Sequence, residues 1–229
     1  MINIVNIVLA TIVLEVAAVL LYLLVFRRWY CRWGATAEEH AMKMPEDDLA
    51  PNPFIYMTHA IDINAPPHKV WPWLKQMGQG RGGFYSYDWL ERLFGFGIHN
   101  VYRIVPELQE LKVGDHLKLH RNGMGATVET LEENRKMVLW MDSRELIEGR
   151  KYFVPIPKEM YIAGYWSFTL VEKPGGSARL LERWAIEWPP KNVILDFFLI
   201  ALSEVPSFIM ERKMLKVIKM CAEGNPPVS

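Results

Sequence analysis

The chain has 229 residues, room for one domain of about 100 to 200 residues plus an appendage. Its 26 basic and 26 acidic residues cancel, and the one notable like-charge block is Glu46, Asp47 and Asp48, which excludes broad electrostatic attraction to nucleic acid. The two cysteines, Cys31 and Cys221, form no C-x-x-C pair, so the chain suits a reducing compartment and is neither a disulfide scaffold nor a cysteine-based zinc module.

Residues 2 to 26 carry a single acidic or basic side chain, Glu15. At 1.5 Å per residue such a helix reaches roughly 37 Å, beyond the ~30 Å hydrocarbon core of a bilayer. The basic residues Arg27, Arg28 and Arg32 come after the apolar run, the reverse of a cleaved signal peptide, so the segment reads as a retained anchor. These arginines, with Trp29, Tyr30 and Trp33, put the remainder of the chain in the cytoplasm by the positive-inside rule. Glu15, near the middle of the span, is expected to be protonated, paired, or turned toward a partner helix.

Residues 1–33 are therefore assigned to the anchor and 34–53, acidic and broken by prolines, to a linker. A domain is expected over 54–224, with a short tail at 225–229. It opens with a strand, "FIYMTHAIDINA" (54–65), and a helix with proline in its first turn, "PPHKVWPWLKQMG" (66–78). A second short helix is expected over 87–95. From Gly114 the apolar period becomes two in five segments, and "EKPGGSA" (172–178) is a hairpin turn, so this region is expected to be antiparallel strands. A long apolar-striped helix, kinked at Pro206, closes the domain over about 193–222. A second membrane span over 193–210 is the rival reading, disfavoured by Asp196, Glu204 and Pro206. The fold class is α+β, an antiparallel sheet with a long C-terminal helix.

In this order of elements, "AIDINAPPHKVWPWLKQMG", "RIVPELQELKVGD" and "GYWSFTLVEKPGGSARLLERW" resemble the START-like or SRPBCC superfamily over roughly residues 54–222. The resemblance implies a helix-grip fold, a sheet wrapped around the last helix, with a cavity between them. Members bind lipids, sterols, polyketides, quinones or hormones there, and a minority catalyse reactions. Fold alone does not select among these. The abundance of aromatics, nine Trp, nine Tyr and ten Phe, fits an apolar cavity.

"GQGRGGFYSYDWLE" (78–91) comes after a helix instead of preceding one, and matches neither a P-loop nor a dinucleotide fingerprint. It reads as a helix cap and flexible loop carrying Phe84, Tyr85, Tyr87 and Trp89 to the cavity rim, or as aromatics plugging the core. No nucleotide or other cofactor motif is present.

Strand alternation puts Leu180, Glu182, Trp184 and Ile186 on the helix-facing side of one strand, Trp166, Phe168 and Leu170 in its neighbour, and Val138 with Trp140 in a third. Glu182 there must be paired, either with a buried arginine or as a site group. His99 sits near the rim, within sequence reach of Tyr87 and Asp88. His116 and His120 alternate with leucines and are expected in solvent, and His40, His59 and His68 show no metal spacing.

The expected function is binding or transfer of an apolar or amphipathic small molecule, a lipid, isoprenoid or quinone drawn from the bilayer, with Tyr85, Tyr87, Trp89, His99, Trp140, Trp166, Glu182, Trp184, Phe198 and Met210 around it. One alternative is a cyclase-like or hydrolytic enzyme using Asp88, His99 and Glu182 as acid and base groups. Another is an accessory subunit docked to a larger membrane complex through Glu15.

Overall fold

The computed structural model of the chain describes residues 3–87, 89, 98–121, 123–144, 161–188 and 193–227, with the side chains of Val5 and of 193–201 left outside the description. Helix α1 (Ile4–Leu21) passes through a π-helical turn (Tyr22–Phe26) into α2 (Arg27–Tyr30). Within this run Asn6–Tyr30 is long and apolar enough to cross a membrane, and its apolar window is not buried by the rest of the chain. Glu15 is exposed on it.

Six strands form one fully antiparallel sheet in the order β1-β6-β5-β4-β3-β2. They are β1 (Ile55–Ile63), β2 (His116–Lys118), β3 (Gly125–Glu132), β4 (Lys136–Asp142), β5 (Ala163–Lys173) and β6 (Ser177–Glu187). Alternation and turn chemistry explain the ladder. The β5–β6 hairpin closes over Gly175 and Gly176, both at positive φ (88° and 78°), where a side chain would strain the backbone. The first and second strands lie at opposite edges, joined through α4 (Pro67–Lys75). The C-terminal helix α5 (Val193–Ala222) runs unbroken through Pro206, and it does not qualify as a second candidate span.

One face of the sheet and α5 share the main core. Trp71, Leu74 and Met77 from α4 and its end pack with Leu139, Phe168 and Leu180 from the sheet and Met214, Leu215 and Ile218 from α5. The other face is covered as well, which the sequence did not lead us to expect. Residues expected to be a free linker form a strap of a short helix α3 (Ala37–Ala41) and a 3-10 turn (Pro45–Leu49) laid across it. Leu49 and Ala50 pack on Val138, Tyr165 and Ala185, and Met44 packs on Ala60 and Leu181. The strap is entered by an edge pairing. The amides of Thr58 and Ala60 donate to the carbonyls of Cys31 (2.7 Å) and Trp33 (3.1 Å). Gly34, at φ 74°, then turns the chain so close to β1 that a Cβ would stand 2.0 Å from the Ala60 carbonyl oxygen.

Charge holds the strap down. Arg183, 1% exposed, donates to Thr58 Oγ1 (3.1 Å), to the carbonyls of Glu39 (2.7 Å) and Met42 (2.9 Å), and to Asp47 (3.2 Å). Tyr165 also donates its hydroxyl to Asp47. Lys136 pairs with buried Glu46 at 2.5 Å, and Arg179 with Glu39 at 2.7 Å. Glu39 additionally completes a capping box with Thr36.

Replacing Arg183→Leu leaves Asp47 without its cation and two strap carbonyls without this donor, and should cost on the order of 3 kcal/mol. Denaturant unfolding will read that loss, and limited proteolysis should open first within 34–53; an unchanged midpoint and an uncut strap contradict the assignment. The hydrogen bond from Arg179 holds the Glu39 carboxyl below its usual range. With the folded value below the unfolded one, the pair's contribution is present above the ordinary carboxylate range and lost as pH falls through the folded value. The stability gap between wild type and Glu39→Gln should therefore shrink in acid, whereas a gap that does not change with pH argues against an ionic pair.

Candidate functional site

Between α5 and the sheet lies a cavity of about 400 Å³, lined by Phe84, Ile98, Leu119, Met124, Met141, Ile162, Trp166, Trp184, Met210 and Met214, with Ser86, Ser207 and Glu211 as its polar members. Trp166 and Trp184 stack along one wall with centroids 5.0 Å apart. Among the described residues, two lining residues hold buried polar atoms without a hydrogen-bond partner, Ser86 Oγ and Trp184 Nε1, and a third, Glu211 Oε2, has only the His59 imidazole beside it. Buried polar groups are ordinarily satisfied, so unpartnered ones lining a cavity are informative.

At the Glu211 side a charged cluster is built from three elements. The β1–β6 register sets His59 directly opposite Glu182, and α5 brings Glu211 down onto both. His59 Nδ1 lies 3.1 Å from Glu182 Oε2 and 3.1 Å from Glu211 Oε2. Its Nε2 lies 2.8 Å from the Tyr30 carbonyl oxygen, which only accepts, so Nε2 carries a hydrogen and the ring orientation is fixed. Trp166 Nε1 donates to the other Glu182 oxygen at 2.7 Å. Burial works to lower the His59 pKa, but the hydrogen bonds and charges of Glu182 and Glu211 outweigh it and push it up to about 10. The Glu211 carboxyl is pushed up to about 7, first by burial and then by the Glu182 charge, with His59 opposing. His59 is thus held as an imidazolium bonded to Glu182.

A second network joins the same helix to the end of the N-terminal apolar helix. Glu204, fully buried on α5, accepts from Arg27 through Nε (2.9 Å) and Nη2 (2.7 Å) and from the Tyr30 hydroxyl (2.8 Å). Phe208, one turn on, packs on Tyr30 and His59. The π-helical turn lets the Tyr22 hydroxyl reach that of Tyr30 at 2.7 Å.

The expected residues divide. Trp166, Trp184 and Met210 line the cavity, and Glu182 stands behind Trp166 as part of the charged cluster, its partner a histidine and not an arginine. Trp140 is on the opposite face, packed with Tyr165 and Ala185 under the strap, and Val138 is beside it. In β4 the inward side chains are Met137, Leu139 and Met141. The strap buries the outer face, so β4 is apolar on both sides and alternation gave no purchase. His99 and Trp89 are exposed, and Tyr87 sits next to Trp89 at the surface with Lys213 over its ring. The Glu182 carboxylate faces His59, Glu211 and Trp166, so its acid–base neighbours differ from the expected His99. Asp88, the rest of 90–97 and the Phe198 side chain lie outside the described residues. His120 is buried and His116 half-buried with Nε2 3.0 Å from the Gly123 carbonyl, so neither stands free in solvent.

The glycine-rich stretch is a compact fold-back and not an open rim. Gly78 and Gly83 bridge each other, and Arg81 donates to the carbonyls of Lys75 (2.9 Å), Met77 (3.2 Å) and Leu108 (2.7 Å), capping the end of α4. Tyr85, fully buried at φ 57°, is held there by an Nε2–H bond from Gln76 to its hydroxyl (2.8 Å) and by Asn100 Oδ1 accepting its amide (2.5 Å). Of the four aromatics it carries, Phe84 alone reaches the cavity wall.

Compared with protein-family models and with curated proteins, the sequence matches none. Solved structures of similar shape include a protein from Mesorhizobium loti (13% identity, TM-score 0.42, covering 75% of this chain and 99% of that one). Others are from Nitrosomonas europaea (12%, 0.42, 79% and 99%) and Mycobacterium smegmatis (9%, 0.39, 82% and 96%).

His59→Leu leaves two buried carboxylates facing each other without their cation and should destabilise the domain by about 3 to 5 kcal/mol. Glu211→Gln, which removes one of those charges, should cost much less. Chemical denaturation of the two variants checks the order, and equal losses contradict it.

Proposed function

We propose that the chain is a membrane-tethered helix-grip protein of the START-like kind that binds an amphipathic small molecule with one polar end, of the isoprenoid or quinone type. The observation that carries this is the cavity under α5, apolar on nearly every side, lined also by Glu211 and by polar atoms of Ser86 and Trp184 that have no partner among the described residues. Apolar lining supplies affinity and a few placed polar groups supply orientation. A volume of about 400 Å³ is at the low end of ligand sites, which favours a single chain or ring over a two-chain phospholipid. The order of strands and the long last helix support the helix-grip reading.

The anchor supports the same reading. Arg27 and Tyr30, at the end of the apolar run, are bonded to Glu204 on the helix that roofs the cavity, so the domain would be held against the bilayer at a fixed angle. Basic residues after the run favour a domain on the cytoplasmic side. A ligand that partitions into the membrane then meets the pocket at high local concentration.

Mass spectrometry of organic extracts of the purified full-length protein should reveal a co-purifying apolar compound. Met210→Trp, which fills the cavity, should remove it while the fold is retained by circular dichroism. A wild-type protein that carries nothing and does not take up single-chain apolar probes contradicts the reading.

A further inference from the structure

We propose that His59, Glu182 and Glu211 form a binding site for one divalent transition-metal ion of the zinc or manganese class, open on the cavity side where Glu211 lines the wall. The ligand atoms, one imidazole nitrogen and two carboxylate oxygens, all lie within 4.8 Å of one another, and all three residues are buried. With bonds near 2.0 to 2.2 Å, ligand atoms around a tetrahedral zinc stand about 3.3 Å apart. The two 3.1 Å separations from His59 Nδ1 fall within a few tenths of that edge.

The surroundings are those a metal site requires. Donation from Nε2 to the Tyr30 carbonyl fixes the tautomer that turns the Nδ1 lone pair toward the carboxylates, and Trp166 Nε1 orients Glu182 through its second oxygen. Glu211 Oε2, on a side chain only 7% exposed, has no donor besides His59 Nδ1 among the described residues. A divalent ion with a neutral imidazole and two carboxylates also sums to zero charge, so the buried site would carry no net charge when filled. Three protein ligands with a vacant position are the arrangement of a catalytic rather than a structural site. A nitrogen with two hard oxygens suits zinc, manganese or ferrous ions better than soft cuprous ion.

The proposal stands apart from the lipid reading, because its probe is the metal alone. Full-length protein, purified in detergent without a histidine tag and stripped with chelator, is dialysed against Zn²⁺, Co²⁺ or Mn²⁺ chloride, and metal per chain is measured by elemental analysis. One ion per chain is expected, with visible d–d absorption of the Co²⁺ form that marks a low-symmetry nitrogen and oxygen site. Glu211→Gln and Glu182→Gln should each weaken binding at least tenfold, and Trp166→Phe should weaken it without changing the stoichiometry. His68→Asn, at an exposed histidine, should leave it unchanged. Circular dichroism establishes that each variant is folded, and should a glutamine variant not fold, Trp166→Phe decides. Failure of the wild type to bind any of the three ions stoichiometrically, or binding unaffected by the cluster substitutions, overturns the proposal.

Discussion

A buried histidine held between two carboxylates is the constraint on which the rest of the structure turns. Taking charge out of water costs several kcal/mol per ion and is recovered only with close partners and filled hydrogen bonds. His59 and Glu182 can meet only if β1 pairs with β6 in the observed register, and Glu211 reaches them only if α5 lies across that pair. A one-residue slip would move His59 and Glu182 to opposite faces. The cluster thus specifies strand register and helix placement together, where the apolar contacts around it would tolerate neighbouring arrangements. The cavity lies beside it, with Glu211 and Trp184 both on its lining.

The same helix carries the connection to the N-terminal apolar helix. Glu204, Phe208 and Glu211 occupy successive turns of α5, and each contacts something different: Arg27 and Tyr30, the rings of Tyr30 and His59, and the His59 imidazole. Tyr30 closes the set, since its hydroxyl serves Glu204 and its carbonyl serves His59. The end of the N-terminal apolar helix is therefore bonded into the charged cluster and its helix, not merely linked to them through the chain. Cys31 and Trp33 extend this by pairing with the β1 edge, which also protects that edge from pairing with other chains.

The sequence made the element order legible because the signals were local: proline opening α4, two glycines closing β5–β6, and an apolar stripe in α5. Alternation also placed Glu182 and Trp184 inward. It failed in β4, where Met137 to Met141 are apolar without a break because the strap buries the outer face, and Trp140 was assigned to the wrong side. The strap itself read as a linker since its acidic residues looked solvated, and their partners Arg179, Arg183 and Lys136 lie more than 80 positions away. His59 and Glu182 are 123 positions apart, so no spacing rule finds them. The usable clue was an inward carboxylate in β6 and a histidine on the apolar face of β1, both needing a partner.

The imidazole of His59 reports most directly on this account. In metal-free protein at neutral pH, nitrogen-15 NMR of the ring should find both nitrogens protonated, each hydrogen slow to exchange, one bonded to a carboxylate and one to a backbone carbonyl. A neutral ring with a bare Nε2, or ring hydrogens exchanging freely with water, would contradict a buried cation at the joint of the sheet, the C-terminal helix and the N-terminal apolar helix.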